Sequence, residues 1–320
     1  VELYTYSVDL IRIVFLIGAV LSLVYKKRTG ITPGGIVVPG FLAITLDISF
    51  LAFICTIGLA VVGRALYHLL FGSFALSTRL AVIANVTIAI ILGAITTKIM
   101  ASHHIAGQEF LMFSLIAPGL IAHNTRKYGL FDVMKGVLSV TAATYCAGWL
   151  LAMTLPHDMM SQLTVQLAAY KPLTLTDAYL TMGISLLTAL ALYSAFKLRA
   201  GGYLIMPFLA VIAFSSMTQF VLILAGVALS YLIVQLVQRQ TLIIGLDRFI
   251  VSLFCGYFIV TLIDLAAAHW GIAHYRTSPL ILIVAVAVLT NDLCLQPLKA
   301  SLAKGVGPSM AVAMLTRMVA

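Results

Sequence analysis

Apolar residues run along this chain in blocks of about twenty, broken by short clusters of basic residues, proline and glycine. Stretches such as LIRIVFLIGAVLSLVY do not alternate with period two, so they predict helices rather than barrel strands. Full-length helices are expected at about 8–25, 49–72, 79–98, 132–154, 176–196, 218–238, 248–268 and 305–320. Four shorter apolar pieces, near 31–46, 109–123, 202–214 and 278–291, fall short of the roughly 20 residues that cross a bilayer. They are read as re-entrant hairpins. The expected fold is an all-α polytopic membrane protein of about eight transmembrane helices plus four such hairpins.

Composition supports the membrane reading: 62% of the 320 residues are hydrophobic and 9% charged, against roughly 25% charged in soluble domains. The net charge of +9 is spread thinly, and its longest run is Lys26, Lys27 and Arg28. It therefore reads as positive-inside bias and contact with anionic lipid, not nucleic-acid binding. With the hairpins re-entrant, Lys26, Lys27, Arg28, Lys98, Arg126, Lys127, Lys197, Arg199, Arg276 and Lys299 share the cytoplasmic side. Arg79, Lys171, Arg239 and Arg248 are left on the other. The cysteines Cys55, Cys146, Cys255 and Cys294 are isolated in or beside apolar segments and read as packing residues. No cleavable signal peptide is evident, and the last segment, GVGPSMAVAMLTRMVA, stops short of a full span, as in a chain that continues past Ala320.

A shift of 167–171 residues superposes landmarks along the whole chain. KKRTG (26–30) meets KLRAG (197–201), GFLA (40–43) meets PFLA (207–210), Arg79 meets Arg248, Asn124 meets Asn291, and KGV (135–137) meets KGV (304–306). Two tandem repeats follow, 1–155 and 176–320, joined by a linker at 156–175. With four spans and two hairpins each, they are expected to run parallel.

The first repeat carries the richer signals. GITPGGIVVPGFLAITL (30–46) and IAPGLIAHN (116–124) place proline and glycine at membrane depth, and VVPGFLA resembles IAPGLIA. Broken backbone at that depth is tolerated where it is buried in protein or lines a polar cavity. Gly34, Gly35, Pro39, Gly40, Pro118, Gly119 and Asn124 are therefore candidate substrate-path residues. Arg28, Arg126, Lys127, Arg79 and Arg248 are candidate contacts for an anion or a partner. Arg64 and Asp264 lie within spans, where an ionisable side chain is a candidate by default. The alternatives to a functional role are snorkelling toward the outer interface for Arg64 and capping near the inner one for Asp264. No Walker loop, GxSxG or HExxH occurs, so no catalytic residue is assigned. His103, His104 and Glu109 make a poor metal spacing, and no metal or cofactor is expected.

TGITPGGIVVPGFLA, a helical pair, and LIAPGLIAHNTRKYGL together resemble the poly-γ-glutamate biosynthesis family called CapC or PgsC. The likeness covers 8–154, with Phe41 in place of a usual tyrosine and His123 inserted before Asn124; the second repeat is degenerate. The resemblance implies a bacterial inner-membrane subunit, not catalytic by itself. Its implied partners are other small membrane subunits and a cytoplasmic ATP-dependent amide ligase, Mur-ligase-like or ATP-grasp. It would anchor that ligase and help an anionic γ-linked polymer outward. Two other readings stay open at this point: a secondary transporter of a small organic anion or amino acid, and an integral membrane transferase.

Overall fold

A computed structural model describes residues 8–74, 76, 78–102, 116–154, 209, 217–241, 243–269 and 279–295. Among these residues all regular structure is helical. The helices are α1 (Val8–Thr29), α2 (Val38–Ile48), α3 (Phe50–Phe71), α4 (Thr78–Ser102), α5 (Ile116–Tyr128), α6 (Leu130–Thr154), α7 (Met217–Gln240), α8 (Leu246–His269) and α9 (Pro279–Leu295). Four stretches are long and apolar enough to cross a membrane: Phe50–Phe71, Leu130–Thr154, Phe220–Gln240 and Leu246–Ile263. The segments expected at 176–196, 202–214 (Leu209 apart) and 305–320 lie outside the described residues. The chain divides into two units, Val1–Thr164 and Val165–Ala320.

In the first unit, side-chain contacts fix the direction of every helix. Gly136 faces Tyr25 and Gly18 faces Thr144, so α1 and α6 are antiparallel. Tyr67 clusters with Ala81, and Gly63 lies against Ile88 and Leu92, so α3 and α4 are antiparallel too. Arg64 meets Thr125 and Tyr67 meets Arg126, which puts the C-terminal ends of α3 and α5 together. Tyr128, the last residue of α5, interacts with Thr32 and Lys26 beyond and within the end of α1. One end of the bundle, the near end, therefore gathers the C-termini of α1, α3 and α5 with the N-termini of α4 and α6. The starts of α1 and α3 and the ends of α2, α4 and α6 lie at the far end.

This geometry decides how the first proline–glycine segment runs. It leaves α1 at the near end as irregular chain, with Gly34 (φ 68°) and Gly35 (φ 127°) in the left-handed region that glycine alone enters cheaply. Helix begins at mid-depth, where Gly40 abuts Phe15. Pro39 occupies the first turn of α2, where its missing N–H would have no intrahelical partner anyway. The 11 residues of α2 rise about 16 Å to the far end. There Ser49 breaks the helix in an extended conformation (φ −155°, ψ 108°) and caps α3, its hydroxyl accepting from the Ala52 N–H at 3.3 Å. The segment expected to turn back thus connects opposite ends of the unit. An irregular stretch plus half a helix spans the distance that one continuous helix would need about 20 residues to cover. The partner segment, α5, runs from mid-depth to the near end; residues 103–115 before it lie outside the described residues.

The basic residues sort accordingly. Lys26, Lys27, Arg28, Arg126 and Lys127 are at the near end, as expected. Arg79, expected opposite them, sits in the first turn of α4 at that same end, whereas Lys98 stands near the far end of α4. The change of side follows from the segment 30–48 running through the unit.

Helix pairings in the first unit repeat when α1, α2, α3 are exchanged with α4, α5, α6. α1 packs on α2 as α4 does on α5, α1 on α6 as α4 on α3, and α2 on α6 as α5 on α3. The exchange inverts direction, since α1 runs far to near and α4 near to far. The likeness of VVPGFLA to IAPGLIA is the sequence trace of this inverted repeat. In the second unit α7, α8 and α9 pack mutually, as do their repeat counterparts α3, α4 and α5. The piece expected as a hairpin at 278–291 is one continuous helix of 17 residues there.

Candidate functional site

The proline–glycine pairs are packing elements in the structure. A Cβ built on Gly40 would fall 2.7 Å from the Phe15 carbonyl oxygen, and one on Gly119 would fall 2.8 Å from Val86 Cα. Small residues at these crossings let helix backbones approach closely, the ordinary source of helix association in lipid. Around them Val38, Leu42, Ala117, Ile121, Val133 and Val137 form an apolar cluster. Pro39 and Pro118 are buried beside their glycines. Gly34 points at Ile121 and Val137, and Asn124 spends its amide on the Leu120 carbonyl at 2.9 Å.

Polar and charged groups concentrate at the near end instead. Lys127 places its ammonium 4.8 Å from the ring centre of Tyr128. Hydrogen bonding by Lys127 holds the Tyr128 phenol below its usual pKa, with further help from Thr32 and the charges of Lys127 and Lys26. Arg28 is exposed at the end of α1.

Beside this rim, α3 and α5 enclose a cleft of about 250 Å³ lined by Arg64, Tyr67, His68, Phe71, Gly72, Phe74, Ala122 and Arg126. Residues 64, 67, 68 and 71 share one helical face, as do 122 and 126, so two helix faces supply most of the lining. The Arg64 guanidinium (Nη1) donates to the Thr125 hydroxyl at 2.8 Å, and that hydroxyl donates in turn to the Ala122 carbonyl at 2.7 Å. Arg126 Nη1 donates to the Tyr67 hydroxyl at 3.0 Å, its guanidinium carbon 5.7 Å from the ring centre. Both described partners are neutral hydroxyls. A guanidinium carries five donors, and each of these described bonds uses one of them.

Arg64 and Arg126, not paired by the sequence reading, are therefore neighbours. The sequence reading passed over Tyr67, His68 and Thr125. Its available signal was polar residues at i, i+3 and i+4 from Arg64 in an otherwise apolar span. It also passed over Arg12, which is buried in α1. Arg79 belongs to α4 and Asp264 to α8, but their side chains lie outside the described residues, as do His103, His104 and Glu109.

Arg248 is buried in the second unit, where its Nε donates to Asn291 Oδ1 at 3.0 Å. This clasp joins α8 to α9. Removing one partner of a buried charged hydrogen bond costs about 1.5–3 kcal/mol, so Asn291→Leu is expected to lower the thermal transition of the detergent-purified protein by several degrees. An unchanged transition would show the clasp to be dispensable.

The Capsule biosynthesis CapC family pattern matches the chain twice, at residues 17–134 and 184–302. The PGA biosynthesis protein CapC of Bacillus subtilis (strain 168) is 26% identical over 141 residues, which are 42% of this chain and 89% of that protein. The Capsule biosynthesis protein CapC of Bacillus anthracis is 26% identical over 145 residues, again 42% of this chain and 89% of the relative. No solved structure matches. With the pattern covering more than half of its length, in two consecutive copies, the chain belongs to the CapC capsule biosynthesis family as a tandem member.

Proposed function

We propose that this protein is an integral membrane subunit of a machine that makes and exports a poly-γ-glutamate-type polymer. The carrying observation is the capsule-family pattern repeated on helices apolar enough to span a bilayer. In this reading the near end faces the cytoplasm of a bacterial inner membrane, because cationic residues gather on that side. Lys26, Lys27, Arg28, Arg126 and Lys127 form a basic rim there. The rim draws in a carboxylate polymer and the ATP-dependent amide ligase that builds it, by an attraction that weakens with salt. The protein is a non-catalytic subunit, and other small membrane subunits complete the complex.

Deleting the gene tests this reading. Surface polymer is expected to vanish and to return with the gene on a plasmid, and the ligase is expected to co-purify with the membrane protein. Normal polymer in the deletion strain would reject it. The inverted repeat with two half-length helices in the first unit favours a second reading, a secondary transporter of a small organic anion or amino acid. Ion-gradient-driven uptake by purified protein in liposomes, with no ligase present, would select that reading.

A further inference from the structure

We propose that the cleft between α3 and α5 binds one carboxylate-bearing unit of a γ-linked glutamyl chain, with Arg64 and Arg126 as its anion-binding groups. The proposal rests on the polymer reading above and names the subsite within it. Three observations carry it. First, two guanidiniums from different helices line one cavity, and the partner of each is a hydroxyl. Like charges lining one cleft repel, and a bound anion relieves that repulsion. A planar guanidinium also matches a carboxylate in two-pronged fashion.

Second, the walls fit such a guest. Phe71, Phe74 and Ala122 offer apolar surface to methylenes, while Tyr67 and His68 add polar atoms. At about 250 Å³ the cleft is smaller than the roughly 300–1,000 Å³ of drug-sized sites, which suits a single acidic residue of a chain.

Third, the second unit has a buried arginine–asparagine clasp of its own but lacks the cleft's cations. At the repeat shift of 168, Arg64, Tyr67 and His68 correspond to Leu232, Gln235 and Leu236; at 167, Arg126 corresponds to Leu293. Leu232 and Leu236 are exposed, as lipid-facing residues would be. A structural requirement of the fold would be met in both copies. The paired arginines are thus a feature of the first unit, and one site per chain is expected.

The test is calorimetric titration of the full chain, purified in detergent, with a defined γ-linked glutamate oligomer and separately with glycerol phosphate as a lipid-headgroup probe. Saturable binding of one oligomer per chain is expected. Arg64→Gln and Arg126→Gln should each weaken it by roughly tenfold to a hundredfold. Arg126→Lys should recover part of the loss, because lysine restores the charge without the fork. No oligomer binding, two sites per chain, or equal affinity in the glutamine variants would overturn the proposal. So would equal competition by glycerol phosphate, which would make the cleft a phospholipid site.

Arg64→Gln gives up the Thr125 contact; if that variant fails to fold, the exposed Arg126 carries the test through Arg126→Gln. Failure of the broader reading looks different. There, polymer persists in the deletion strain. Failure of the subsite alone appears as normal polymer from cleft variants in a strain that needs the protein.

Discussion

Gly40→Val is expected to prevent the protein from accumulating in membranes. A Cβ on Gly40 would lie 2.7 Å from the Phe15 carbonyl oxygen, and a Cβ on Gly18 of the facing helix would run into the Gly40 backbone. Both obstacles are backbone, so no side chain can swing aside. Helix α1 cannot retreat easily either, because Gly18 also meets Thr144 of α6. Overpacking a well-filled core costs about 1–3 kcal/mol where side chains can adjust; here the cost should exceed that range. Gly40→Ala should behave similarly but less severely. Gly58 provides the control, since nothing lies within 4 Å of a Cβ placed there, and Gly58→Ala should leave stability equal or higher. Abundance in the membrane fraction and the thermal transition in detergent are the measurements. Wild-type abundance of Gly40→Val would mean that α1 and α2 do not cross at these glycines.

Reversing two charges at the near end should have the largest effect on function. Arg126→Glu combined with Lys127→Glu is expected to abolish surface polymer while the protein still inserts normally. Both side chains are exposed, and losing the Arg126–Tyr67 hydrogen bond costs only about 0.5–1.5 kcal/mol. Lys26, Lys27 and Arg28 remain to hold the orientation. Two effects reinforce each other. The rim loses attraction for a polyanion, and Arg126→Glu sets a carboxylate from the chain itself beside Arg64, in the place proposed for the polymer's carboxylate. Immunodetection of surface polymer, with membrane abundance of the variant measured in parallel, gives the answer. Unchanged polymer output would reject the charge role.

The likeness between VVPGFLA and IAPGLIA was visible in the sequence, but its meaning was not. Proline and glycine read the same whether a segment turns back or runs through, because apolar length reports only how much chain lies at depth. Direction came from contacts such as Tyr25 with Gly136 and Tyr128 with Thr32. Glycine is similarly ambiguous: Gly34 and Gly35 supply left-handed backbone, whereas Gly40 and Gly119 supply closeness. A sequence shows only that a side chain is missing.

The candidate cleft was legible in part. Arg126 and Lys127 stood out as a basic pair, and Arg64 as a charge within a span. Their convergence was hidden, since Arg64 and Thr125 are 61 positions apart and Tyr67 and Arg126 are 59 apart. Helical periodicity relates residues only within a few turns.

By itself, the sequence determined what depends on local composition and on repetition: helices throughout, half-length segments where proline and glycine fall, a duplicated chain, and the family likeness. The tertiary structure alone decided that the segment 30–48 passes through its unit, that the first unit is an inverted repeat, and that two arginines share a cleft. Those features depend on which helix faces meet, and packing chooses the faces after the helices exist.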